Sequence, residues 1–104
     1  MYDKLAMQYS GLANLIIEKM MKWSNSLPIV QESSSAIRNY VRKPEYAGVM
    51  RVDSVDILVD LARDARYDKI RPVIAHALKL MQKVPQFDQR IKQKGAMDLV
   101  QSAV

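Results

Sequence analysis

The stretch Asp53-Ser54-Val55-Asp56-Ile57-Leu58-Val59-Asp60-Leu61-Ala62-Arg63-Asp64-Ala65 decides the fold. Val55, Leu58, Val59, Leu61, Ala62 and Ala65 recur at intervals that a helix gathers into one broad apolar arc. Asp53, Asp56, Asp60 and Asp64 fall opposite that arc, at spacings of 3, 4 and 4. Asp53 stands where an N-cap is wanted, and Asp56 follows three residues later, a capping-box placement with Asp in place of Glu. The spacing therefore predicts a helix over 53–65. Nowhere does the chain alternate apolar and polar residues over a useful length, so no strand is expected.

Toward the C-terminus, Arg66-Tyr67-Asp68 links to a helix expected over 69–83. Asp68 can cap it, and Pro72 falls in its first turn, where backbone N–H groups lack intrahelical partners. Ile70, Val73, Ile74, Ala77, Leu78 and Met81 turn inward. Lys79 and Lys83 turn outward and suit the negative end of the helix dipole. Val84-Pro85 closes this helix, and another over 86–94 anchors through Phe87 and Ile91. Gly95 is a C-cap candidate, and residues 96–104 read as a short resumed helix or a loosely ordered tail.

Toward the N-terminus, Glu45 to Val52 reads as a loop that packs apolar residues against the bundle. Pro44 disfavours helical geometry at Lys43, so the helix before it ends near Arg42. Ser26 can cap that helix, with Pro28 in its first turn and Ile29, Val30, Ala36, Ile37, Tyr40 and Val41 facing inward. Ser33-Ser34-Ser35 weakens it and makes a break there conceivable, because serine hydroxyls compete for backbone hydrogen bonds.

The first helix, expected over 2–24, carries two apolar sets. Leu5, Tyr9, Leu12, Ile16, Met20 and Trp23 form the stripe read as core. Met7, Ile17 and Met21 lie outside it. The helix is thus apolar around more of its circumference than one buried face requires. Met7, Ile17 and Met21 are accordingly assigned to a protein interface, where methionine's adaptable shape is useful.

These segments predict an all-α fold, a compact bundle of about five helices in a single domain spanning 1–104. Composition agrees. The chain has 104 residues, 49% apolar and 26% charged, with one His and no Cys. A length of this order suffices to bury a core without staples. Lack of cysteine excludes disulfides, zinc ribbons, iron–sulfur clusters and thiol nucleophiles. The most apolar stretch, Leu12–Met21, is interrupted by Asn14, Glu18 and Lys19, so no membrane span is expected. Asp3, a single nearby Lys and no small-residue cleavage site argue against a secretory signal. A cytoplasmic location is the expectation.

Catalytic patterns are missing. His76 has no second His at metal-ligand spacing. Gly11, Gly48 and Gly95 stand alone, so neither a nucleophile elbow nor a phosphate cradle can be built from them. No enzyme activity, metal, cofactor or small-molecule substrate is expected. The aspartate row spreads over about 16 Å from Asp53 to Asp64 on a straight helix, too far to converge on one ion. It reads either as a solvated face or, through Asp56, Asp60 and Asp64, as a docking face for a basic surface.

Formal net charge is +5. The positive charge gathers in two clusters. Arg38, Arg42, Lys43 and Arg51 face one acid, Glu45; Lys79, Lys83, Arg90, Lys92 and Lys94 face one acid, Asp88. Two readings of function follow. The leading one is a non-catalytic assembly or accessory protein. It would self-associate or dock to a protein partner through the Met-bearing helix face and complementary charged faces. The alternative is a nucleic-acid-binding module whose two basic clusters contact phosphates without strong sequence specificity. A helix-turn-helix over 55–83 is disfavoured by the acidic first helix, a turn without glycine and Pro72 near the reading end.

Overall fold

The computed structural model describes residues 14–43, 47–48 and 50–102. Helix α1 occupies residues 14–22 of that range. It is followed by α2 (Leu27–Tyr40), α3 (Ser54–Arg63), a 3-10 turn (Ala65–Tyr67), α4 (Arg71–Met81), α5 (Pro85–Gln93) and α6 (Met97–Ser102). The described residues contain no strand, so the all-α expectation holds. None of their helices is long and apolar enough to cross a membrane.

Helix α4 is the centre of the packing and touches α2, α3, α5 and α6. Its Ile74, Ala77, Leu78 and Met81 are fully buried. Around them close Val30 and Ile37 of α2, Val55 and Leu58 of α3, Phe87 and Ile91 of α5, and Leu99 and Val100 of α6. Ala47 and Met50 join this core, as expected of the loop between α2 and α3, while Val52 is exposed. The radius of gyration, 12.6 Å, matches the roughly 13 Å typical of a folded domain of about 100 residues.

Several expected boundaries are corrected. Helix α2 runs unbroken through its serines, because Ser33 and Ser34 are buried on an element that packs against α4. There a small side chain permits close approach, and tertiary packing overrides weak propensity. Helix α3 stops at Arg63 instead of Ala65. Asp64 turns extended, and its carboxylate accepts the Arg66 N–H that starts the 3-10 turn; Ala65 is left exposed. Asp53 makes no cap hydrogen bond; its carboxylate accepts from the Arg51 guanidinium instead. Asp68 does not cap α4, which begins at Arg71; it accepts from the Arg71 guanidinium at 2.8 Å.

The end of α5 follows its sequence closely. Gly95 takes φ +64°, the left-handed conformation that favours glycine. The Ala96 N–H donates to Ile91 O and the Gly95 N–H to Lys92 O, both at 3.0 Å. This pair of bonds is a Schellman motif, and the accompanying apolar contact comes from Ala96 and Ile91, both fully buried. The turn directs α6 back onto the core. Of the two alternatives expected for 96–104, the short resumed helix is found, over Met97–Ser102; residues 103–104 lie outside the described range.

Helix α1 differs most from its expected orientation. Met20 is fully buried and Ile17 is 3% exposed, whereas Trp23 is 50% exposed. The buried stripe is thus rotated toward Ile17. Within 14–23 each expected apolar set has one residue buried, Met20 or Ile17, and one exposed, Trp23 or Met21, so periodicity alone does not fix which face turns inward. The expected positions Leu5, Met7, Tyr9 and Leu12 lie outside the described residues.

Candidate functional site

Charged side chains largely find partners within the chain. Arg90 forks onto Asp56, its Nε donating to Oδ1 at 2.8 Å and its terminal nitrogen to Oδ2 at 2.5 Å, which bridges α5 to α3. These are two parallel charge-assisted bonds, a strong pairing geometry. The hydrogen bond from Arg90 holds the Asp56 carboxyl below its ordinary range, against an opposing desolvation. Arg66 grips Asp64 with two nitrogens and reaches Asn25 Oδ1 at 2.7 Å, tying the 3-10 turn to the α1–α2 connection. Asp64 is likewise lowered, first by the Arg66 side chain and then by the Arg66 backbone N–H. Arg63 donates to Gly95 O and to Asp98, and Lys92 pairs with Asp88 at 3.0 Å.

These pairs bring together charges that the sequence reading assigned to separate acidic and basic docking faces. Asp56 and Asp64, assigned to an interface, are engaged by Arg90 and Arg66. Arg51, Arg90 and Lys92, assigned to phosphate, are engaged by Asp53, Asp56 and Asp88, with Glu18 a further neighbour of Arg51. Arg90–Asp56 joins two helices, whereas Arg51–Asp53, Arg66–Asp64 and Lys92–Asp88 are local pairs. Asp60, Arg42, Lys43 and Lys94 remain exposed. Ile17 is corrected as well, since a residue in the core cannot form an interface.

Two surface features remain. The first is apolar. Leu15 is 62% exposed, Met21 56%, Trp23 50% and Leu27 44%, all on α1, the start of α2 and the turn between them. The Lys22 ammonium lies 5.8 Å from the Trp23 ring centroid, which leaves most of that ring open. Sequence reasoning assigned Met21 here but missed Leu15, Trp23 and Leu27. For Leu15 the signal was present: Glu18, Lys19 and Lys22 follow at i+3, i+4 and i+7, so it shares a charged face.

The second feature is a pair of grooves beside the outward face of α4. One, of about 540 Å³, is lined by His76, Lys79, Leu80, Gln82, Lys83 and Asp88. The other, of about 410 Å³, is lined by Arg38, Arg71, Pro72, Val73, Ala75, His76 and Ser102. His76 lines both, so the grooves adjoin at this residue. Of the nine basic residues assigned to phosphate, the fold brings Arg38 of α2 onto the same strip as Lys79 and Lys83. It adds Arg71 and His76, which the basic clusters did not include. No group of three metal-ligating side chains occurs among the described residues.

No protein-family model, curated protein or solved structure matches this chain.

Proposed function

We propose that this chain is a non-catalytic helical assembly unit that buries the α1–α2 edge against another protein surface, a second copy being the simplest partner. The observation that carries the reading is the concentration of exposed apolar side chains at Leu15, Met21, Trp23 and Leu27. Beyond that edge, the one exposed large apolar side chain among the described residues is Val52, at 37%. Water penalises such surface by roughly 25 cal/mol per Å²; Glu18, Lys19 and Lys22 share the exposed face with Leu15. Trp and Met are also residue types enriched at interface centres. Complementary charged faces play no part in this reading, because Asp56, Asp64, Arg51, Arg90 and Lys92 are paired within the chain.

Sedimentation tests it. The wild-type chain should form concentration-dependent oligomers. Leu15→Glu with Met21→Glu should disperse them while helicity stays unchanged, since both positions are exposed. Strictly monomeric behaviour of the wild type at high concentration would refute self-association.

A further inference from the structure

The strip along α4 has a chemistry distinct from that of the α1–α2 edge. Val73, His76, Leu80 and Lys83 follow one another at helical spacing, with Lys79 alongside, so the strip continues just past the end of α4. An 11-residue helix is about 16 Å long. Five basic side chains line that length: Arg38, Arg71, His76, Lys79 and Lys83. One acid, Asp88, lines it too, and it is engaged by Lys92. Arg71 is already engaged by Asp68 and by Ala62 O, to which its Nε donates at 2.7 Å. Neither Arg38 nor Lys83 has an acidic partner among the described residues, and the Arg38 Nε–H is a buried donor with no acceptor.

We infer that this strip binds the phosphodiester backbone of a single-stranded nucleic acid, without base-specific readout. Cations spread over two adjoining grooves suit a chain of repeated charges better than one isolated anion. His76, where they join, is the one ring on the strip against which a base can stack, so sequence preference should be weak. Lys79 and Lys83 meet phosphates from one groove, Arg38 and Arg71 from the other. Three or four phosphate contacts imply a salt slope, d log K/d log[salt], of roughly −2 to −3 for a single strand. Between 50 and 200 mM salt that is a weakening of about 15- to 60-fold.

The test is titration of a fluorescent thymidylate oligomer of about twenty nucleotides against the full chain at several salt concentrations. The expected result is binding with that slope. Lys83→Ala and Arg38→Ala should each weaken binding and flatten the slope by about 0.7. Lys94→Ala, outside the strip, should change neither. Circular dichroism checks that Arg38→Ala still folds; Lys83→Ala, at an exposed position, carries the test if it does not. Absence of binding at low salt overturns the inference. So does equally tight binding of polyglutamate with the same sensitivity to Lys83→Ala, which would assign the strip to an acidic protein. Neither result bears on assembly, which is read by sedimentation of the Leu15 and Met21 variant.

Discussion

Asp56 shows how far a single residue's role can be read from its neighbours in sequence. Its place three residues after Asp53 suggests a helix-capping carboxylate. In the fold its partner is Arg90, 34 residues away, and nothing local announces that contact. Gly95 is the opposite case: a glycine just past an apolar periodic run demands a left-handed turn from the chain itself. The Asp56 pair has a pH consequence. Its carboxyl titrates below the ordinary value when folded, chiefly through the Arg90 hydrogen bond. The unfolded chain therefore holds the proton more tightly. The resulting stability is present above the ordinary carboxylate pKa and is lost as pH falls through the lowered folded value. Asp64 and Asp88 are shifted in the same direction but are more open to solvent screening. Thermal unfolding followed from pH 6 to pH 2 should show a falling acid arm, and Asp56→Asn should flatten part of it.

At the level of elements, the helices whose apolar residues form one dominant arc were legible. For α3 and α4 the arc, the inward residues and the position of Pro72 could all be read. Their ends could not, because Asp64 and Asp68 engage Arg66 and Arg71 instead of continuing or capping a helix. Helix α1 was legible in type but not in rotation, since its two apolar sets compete. Helix α2 holds through three serines because its neighbour supplies what propensity withholds. That leaves a cost behind: the Ser34 hydroxyl is buried without a hydrogen-bond partner. Ser34→Ala should therefore stabilise the protein by about 0.5–1 kcal/mol, combining better helix propensity with removal of an unpaired polar group. Ser34→Leu should destabilise it by about 1–3 kcal/mol through overpacking. Urea unfolding midpoints distinguish the two signs.

For the whole molecule, the fold class followed from periodicity, and the candidate surfaces did not. Clusters of charge along the chain suggested segregated faces, yet packing places Arg51, Arg90 and Lys92 beside aspartates. What survives is assembled across helices: Arg38 meets Lys83's strip only because α2 lies against α4, a relation absent from either segment alone. The central position of α4 has one more consequence. A rod clasped by four neighbours cannot peel away by itself, so whatever frees it must dismantle the rest. In heavy water the amides of Ala77 and Leu78 should be the slowest to take up deuterium, surrendering their protons only when the entire molecule opens.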